Sequence, residues 1–259
     1  MNHPALRPLA LAAVLLAPLA APSSRAQEGS PASLDSGRLI VLERGTPVGY
    51  EDFAYERRAD SILVSGAHTR TVRNPDGSTV KWVKRFSLVV DGRDFGLRGY
   101  TSNLEVGTDL TVKGVVPGDT AMTVYTERDG AGTAERLEQP PGRLFVMDPP
   151  LFSLFDVICR HASMRSLPSR PVELVTLGEP AGTGQATLAA AGTDTIRWAG
   201  KRMITRRYTL TDESGTFVAW VSPEGHMLRL LHGASGLEVL REEPAAKGKR
   251  RAAERSRRQ

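Results

Sequence analysis

The sequence predicts a mainly β protein: a large curved antiparallel sheet, either a half-barrel or an open barrel, with one helix packed on it or plugging it. Three observations lead to this prediction. Short runs with alternating apolar residues recur along the chain, separated by Gly, Asp and Pro turns. A single amphipathic segment interrupts them. Two hairpins have readable turns, and the second carries apolar residues on both faces, as in a sheet that curves around something.

Residues 1–26 have the features of a signal peptide. Arg7 precedes an apolar run from Leu9 to Ala21, and Ser24-Arg25-Ala26 offers small residues where a signal peptidase reads, so we expect cleavage before Gln27. The run is too short and too often interrupted by proline to span a bilayer. We therefore expect an exported protein, either periplasmic or secreted.

The mature chain is expected to have three parts: a flexible lead-in at 27–36, one antiparallel β domain at 37–243, and a disordered basic tail at 244–259. The charge supports this division. The whole chain carries +5, but residues 27–243 contain 25 basic and 28 acidic side chains. We interpret the tail as a solvated segment; its functional alternative is attraction to an anionic membrane surface, and export makes nucleic acid the weaker choice. Its basic residues are Lys247, Lys249, Arg250, Arg251, Arg255, Arg257 and Arg258.

The amphipathic segment predicts a helix over residues 149–162. Asp148 is expected to cap it, and Pro149-Pro150 suit its first turn. One apolar arc contains Leu151, Phe152, Leu154, Phe155, Ile158, Cys159 and Ala162, while Ser153, Asp156 and Arg160 lie opposite. We interpret this helix as a lid or plug that covers the open side of the sheet, with Leu151, Phe152, Phe155 and Ile158 as its contact residues.

Sixteen strands are predicted around this helix. They are Arg38–Glu43, Tyr50–Arg57, Ser61–Val72, Thr79–Val90, Phe95–Tyr100, Thr108–Val115, Ala121–Arg128, Thr133–Gln139, Arg143–Met147, Val172–Leu177, Gln185–Ala190, Thr195–Ala199, Arg202–Thr211, Thr216–Ser222, His226–His232 and Leu237–Arg241.

The turn at residues 74–77, Asn-Pro-Asp-Gly, sets the register of the first hairpin. If Asn74 faces Ser78, one face carries six pairs. These are Val72–Val80, Arg70–Trp82, His68–Lys84, Gly66–Phe86, Val64–Leu88 and Ile62–Val90. This face is apolar far from the turn and polar near it, where Arg70 is expected to lie on the Trp82 ring.

A similar turn, Ser-Pro-Glu-Gly-His at residues 222–226, predicts a second hairpin. One face is expected to pair Trp220 with Leu228, Val218 with Leu230 and Thr216 with His232. The other face is expected to pair Phe217 with Leu231 and Val221 with Met227.

Catalytic and metal-binding pairs are tested by their spacing. Cys159 and His161 point about 200° apart on a helix, and Cys159 lies in the apolar arc, so we interpret it as a buried, inert thiol. His226 and His232 lie roughly 20 Å apart on a straight strand, too far to share an ion. We expect no metal and no cofactor.

Two enzyme motifs are incomplete. Ser235 has the first half of a nucleophile elbow, but Leu237 replaces its last glycine. The glycine-rich stretch 178–184 lacks the Lys-Ser/Thr of a phosphate-binding loop. A hydrolase that uses a pair of carboxylates is left open but has no support, and we expect no enzymatic activity.

Two stretches resemble a family of exported bacterial proteins of unknown function: residues 45–53, GTPVGYEDF, and residues 218–228, VAWVSPEGHML. That family is similar in architecture to the periplasmic lipoprotein carriers of the Lol type. The resemblance implies a bent antiparallel half-barrel around a hydrophobic cavity that holds acyl chains, with helical segments at its mouth. It implies no catalytic residue, because the family has no matching catalytic motif.

Two functional hypotheses follow. The first is a noncatalytic protein that binds a lipid or another apolar ligand in the concave face of the sheet. Its candidate lining residues are Val64, Trp82, Phe86, Leu88, Val218, Trp220, Leu228 and Leu230. The second is a structural or interaction protein of the envelope with a filled core, whose partner binds at a sheet edge or through the basic tail. The sequence leaves the oligomeric state open.

Overall fold

The computed structural model describes residues 32–165 and 169–244. The predicted signal peptide and residues 245–259 of the predicted basic tail lie outside these ranges. The first strand begins at Ala32, which pairs with Arg57, so the last five residues of the predicted flexible lead-in are part of the sheet. The prediction of a flexible segment was therefore wrong for residues 32–36. Their sequence has little apolar patterning, but pairing with residues 54–57 of the neighbouring strand holds them in the sheet.

Fifteen strands and one helix make up the described part of the chain. The strands are β1 (Ala32–Glu43), β2 (Thr46–Arg58), β3 (Ser61–Arg73), β4 (Thr79–Asp91), β5 (Leu97–Val106), β6 (Asp109–Val116), β7 (Ala121–Arg128), β8 (Ala131–Glu138), β9 (Leu144–Met147), β10 (Arg170–Thr176), β11 (Gly182–Trp198), β12 (Lys201–Asp212), β13 (Gly215–Val221), β14 (Met227–His232) and β15 (Leu237–Arg241); the helix is α1 (Ser153–Arg165). The two strands predicted within 185–199 form the single strand β11, which continues through an irregularity between Ala190 and Thr193.

All fifteen strands form one sheet, in the order β8-β7-β6-β5-β4-β3-β2-β1-β15-β14-β13-β12-β11-β10-β9. Each strand therefore lies beside its sequence neighbours, except where β1 joins β15 and the chain crosses over between β8 and β9. Neighbouring strands are antiparallel apart from β9 and β10, which are parallel. The sheet is open, with β8 and β9 at its two edges. The predicted fold class is confirmed.

The first hairpin, β3–β4, has the predicted register. All six expected pairs occur, from Ile62 opposite Val90 to Val72 opposite Val80. The turn closes as its sequence indicates: the Asn74 N–H donates to the Ser78 carbonyl at 2.8 Å, and Gly77 has a positive φ of 85°. The Arg70 guanidinium lies 5.3 Å from the centre of the Trp82 ring.

The second hairpin, β13–β14, departs from the predicted register. Val221 faces Met227 as expected, but Trp220 faces Arg229 and Ala219 faces Leu230. A bulge at this point shifts every later pair by one residue. Such a shift moves side chains to the opposite face of the sheet, so Val218 and Trp220 do not share a face with Leu230.

Helix α1 begins later than predicted, at Ser153 instead of residue 149. It runs inside the curved sheet between its two halves. Leu154 and Val157 line one small space together with residues of β4, β5 and β9, while Phe155, Ile158 and Cys159 line another together with residues of β11 to β14. One apolar core includes all of these side chains. No helix in the described part of the chain is long and apolar enough to cross a membrane.

Candidate functional site

The concave face of the sheet, where an apolar ligand was expected, is packed against the helix. Four of the eight candidate lining residues, Val64, Phe86, Leu88 and Leu230, belong to the core and are at most 5% exposed. The four residues expected to form the helix contact are also buried, although Leu151 and Phe152 lie just before the helix.

The other four candidate lining residues lie outside this core. Trp82 is half-buried near the turn of its hairpin, under Arg70. Val218 and Trp220 lie on the outer face, where Trp220 donates from Nε1 to Asp194 at 2.9 Å. Leu228 lies at the bulge of β14 and contributes to a surface cleft described below. These placements correct the predicted lining of the concave face.

Two spaces inside the sheet have volumes of about 10 Å³ each, one on each side of the helix. A volume of this size is at the lower limit for a single water molecule. Neither of these spaces can hold an acyl chain, and the side chains around them belong to the apolar core.

The N-terminal end of the helix is held by a carboxylate from β2. Glu51 is fully buried and accepts hydrogen bonds from the N–H groups of Phe152 at 2.6 Å and Ser153 at 3.0 Å, and from the Ser153 hydroxyl. These N–H groups would otherwise lack partners at the start of a helix. Burial raises the pKa of Glu51 to about 7, although the three hydrogen bonds act in the opposite direction.

Asp148 is the centre of a second group of polar contacts beside Glu51. Its carboxylate pairs with Lys84 and accepts hydrogen bonds from Tyr100 at 2.6 Å and Ser102 at 2.7 Å. Asp148 was expected to cap the helix, but instead it binds strands β4 and β5. Burial lowers the pKa of Lys84, and the charge of Asp148 partly restores it.

His68 completes this polar region, which we call the helix-start cluster: Glu51, His68, Lys84, Tyr100, Ser102, Asp148 and Ser153. His68 lies opposite both Glu51 and Lys84 in the sheet, and its ring packs 5.9 Å from that of Phe152. Burial, together with the nearby charges of Arg70 and Lys84, lowers the pKa of His68 to about 4. The cluster therefore contains an acid and a base with opposite pKa shifts.

Asp35, on β1, is the centre of a second polar cluster, near the other end of the helix. Its carboxylate binds Arg160 of the helix, Arg241 of β15 at 2.5 Å and the Nδ1 of His226 at 2.9 Å. Burial alone would raise the pKa of Asp35, but the hydrogen bonds from His226 and Arg241 and the two arginine charges lower it well below its usual range.

Asp156 joins this Asp35 cluster to the second hairpin. Its carboxylate accepts a hydrogen bond from the Met227 N–H at 2.6 Å and one from Arg160 Nε at 2.7 Å. The polar side of the helix is therefore largely enclosed. Ser153 and Asp156 are at most 2% exposed, and the Arg160 side chain is 13% exposed. Both polar clusters satisfy buried charges and fix the helix inside the sheet.

A cleft of about 980 Å³ opens beside the Asp35 cluster. We call it the end cleft. Its lining residues are Asp35, Ser36, Gly37, Arg38, Asp52, Trp198, Met203, Ser222, Glu224, His226, Leu228, Arg241, Glu242, Glu243 and Pro244. This volume lies in the range of ordinary ligand pockets, and the walls combine acidic groups with apolar side chains.

Cys159 and His161 do not form a reactive pair. Cys159 is 4% exposed, and burial raises the pKa of its thiol far above the usual value, as expected for an inert side chain. His161 is also buried; it contacts Arg170 and packs against Phe145 and Phe95.

The other two histidines of the described residues, His226 and His232, also have structural surroundings. His232 stacks on Phe217, and its Nδ1 lies 2.8 Å from the Ser235 hydroxyl, a contact within one turn. His226 belongs to the Asp35 cluster. Among residues 32–165 and 169–244, no three His, Cys, Asp or Glu side chains are placed to hold a metal ion.

The sequence reasoning placed His68 opposite Lys84 but missed the other members of both polar clusters. Their members come from strands far apart in the chain, so no local spacing brings them together. The one available signal was the presence of Glu51 and His68 at positions that the strand pattern turns inward. The predicted basic tail residues, Lys247 to Arg258, lie outside the described residues.

No family model matches the chain, and no curated protein matches it. A similar solved structure is a beta-barrel-like protein of a domain of unknown function, DUF1849, from Brucella abortus. It has a TM-score of 0.52 and 6% sequence identity, over 82% of this chain and 98% of the other. This likeness concerns the fold alone and supports a barrel-like architecture.

Proposed function

We propose that this chain is an exported, noncatalytic interaction protein of the bacterial envelope, with a helix-filled half-barrel and its binding surface at the end cleft. One observation carries the proposal: the two spaces beside the helix measure about 10 Å³ each, whereas the end cleft measures about 980 Å³. A ligand pocket usually occupies several hundred Å³.

The other hypothesis was a carrier that holds a lipid on the concave face, as the resemblance to Lol-type proteins implies. In this fold an acyl chain would have to replace α1. Removing the helix would leave Glu51 without its hydrogen-bond donors and Asp35 without Arg160. Leaving a buried carboxyl such as that of Glu51 without its hydrogen-bond donors is unfavourable, so the filled core favours the interaction protein.

Native mass spectrometry of the purified chain tests the filled interior. We expect the mass of the polypeptide alone and no fluorescence increase with an apolar dye. Phe155→Ala is the matched control, because it removes a ring that packs 4.6 Å from Phe217 and opens an apolar space. This variant should bind the dye. Stoichiometric lipid on the unmodified chain would contradict the proposal.

A photo-crosslinking side chain at two positions tests the binding surface in intact envelopes. Trp198 lines the end cleft, whereas the exposed Thr133 lies on the edge strand β8, which contributes nothing to the cleft. We expect a discrete crosslinked product from position 198 and none from position 133. A product from position 133 alone would place the interface at the sheet edge and contradict a binding surface at the cleft.

A further inference from the structure

We infer that the end cleft is the docking site of the chain's own basic C-terminal segment, residues 245–259. This inference rests on the proposed function of the cleft as a binding surface and names its first occupant. Three properties of the cleft support it: its charge, its apolar wall and the place where the described chain ends.

The cleft carries an excess of negative charge. Five carboxylates and two arginines line it, which leaves three formal negative charges. Asp35 and Asp52 are neutralised by arginines. Glu224, Glu242 and Glu243 form no ion pair with any described residue. These three glutamates are therefore available to a cationic ligand.

The segment 245–259 has the complementary charge. It contains seven Lys or Arg residues and one Glu. It also starts at the right place, because Pro244, the residue before it, is itself part of the cleft wall. Lys247 follows three residues later, within about 10 Å of chain length.

Because the segment 245–259 is covalently attached beside the end cleft, weak contacts are sufficient for it to bind there. A covalent connection of a few residues gives an effective concentration in the millimolar range, so the segment would occupy the cleft even if the separate peptide bound with only millimolar affinity. Individual exposed ion pairs are weak, but several of them act together here.

The apolar wall suits the same occupant. Trp198 and Met203, both half-buried, line the cleft and offer a surface to the aliphatic stems of Lys and Arg. The Trp198 ring can also accept a cation on its face. A segment of Lys, Arg and Ala residues matches both the charge and the apolar surface.

Disulfide trapping in the full chain tests this inference. The native Cys159 is buried, so an introduced pair can be oxidised selectively. Ser36→Cys in the cleft is combined with Ala252→Cys in the segment, and the matched control combines Thr133→Cys with Ala252→Cys. The product is a monomer with an internal disulfide, measured by mass spectrometry of proteolytic peptides at low micromolar protein concentration.

We expect about tenfold more internal disulfide with Ser36→Cys than with Thr133→Cys. Adding Glu242→Lys and Glu243→Lys should reduce the yield to that of the control, and about 0.5 M salt should reduce it as well. Circular dichroism melts of each variant verify that the fold is intact.

Equal yields from the two cysteine pairs would overturn the inference. A predominance of disulfide-linked dimers would also overturn it, because the cleft would then hold the segment of a second copy. The proposed function would survive either result if the crosslinker at Trp198 still captured an envelope component. Loss of that crosslink would instead refute the cleft as a binding surface.

Discussion

Glu51 and His68 are expected to make opposite contributions to stability over the same pH range. Glu51 has a pKa near 7 in the fold against 4.5 in the unfolded chain, while His68 has a pKa near 4 against 6.5. Between pH 4.5 and 6.5, folded Glu51 retains a proton that the unfolded chain has lost, so its contribution to the free energy of unfolding falls as pH rises. Folded His68 lacks a proton that the unfolded chain carries, so its contribution rises.

The two contributions are of similar size. Each pKa difference changes the free energy of unfolding by about 2 kcal/mol between pH 4.5 and 6.5, with opposite sign. The pair together should therefore contribute almost no pH dependence in this range. Substitution of either residue removes one of the two opposing slopes.

Urea unfolding at pH 4.5, 5.5 and 6.5 measures this compensation. Glu51→Gln should become more stable by about 2 kcal/mol on going from pH 4.5 to 6.5, relative to the unmodified chain. His68→Gln should become less stable by about the same amount. The comparison uses the change in the free energy of unfolding with pH, so a pH-independent loss of stability in either variant does not affect it. If both variants show the slope of the unmodified chain, the assigned surroundings of these two groups are wrong.

Three further predictions concern the helix and its contacts. Phe155→Asp should destabilise the whole fold by at least about 3 kcal/mol, because it places a charge in the apolar core; a melting temperature equal to that of the parent would show that the helix is not docked. Lys84→Met should lower the free energy of unfolding in urea by about 3 kcal/mol, because it leaves Asp148 without its cation. Adding Asp148→Asn should recover part of that loss, whereas additive losses would contradict a coupled pair. Cys159 should resist a maleimide reagent in the native protein and react fully in denaturant, and rapid native labelling would contradict its burial.

The first hairpin shows what local sequence can predict. Its register depends on the turn from Asn74 to Ser78, whose backbone geometry is set by Pro75, Asp76 and Gly77. No distant contact is needed to choose among registers, because a shift by one residue would expose the apolar face. The register was therefore predictable in full.

The second hairpin shows the limit of the same reasoning. Its turn has similar residues, but the bulge in β14 changes every pair beyond Val221 and Met227. The adjacent Met227 N–H binds Asp156, 71 residues earlier in the chain. Turn chemistry contains no information about such a contact.

The helix illustrates a second limit. Its apolar arc was predictable from periodicity, and the buried thiol of Cys159 followed from it. Its polar residues were predicted to lie opposite this arc, and the structure encloses them with Glu51 and Asp35, each more than 100 residues away from its helix partner. Helical periodicity separates polar from apolar residues and does not show which polar residues find buried partners.

Native-state hydrogen exchange of the helix amides tests the central claim, that α1 is an integral part of the core and not a movable lid. Amides from Phe155 to Ala162 are measured one by one and compared with the free energy of global unfolding. We predict that they exchange only through global unfolding, at the same free energy as the amides of the central strands β1 and β15. Exchange of the helix amides through a separate opening of lower free energy, with the sheet still protected, would contradict this account.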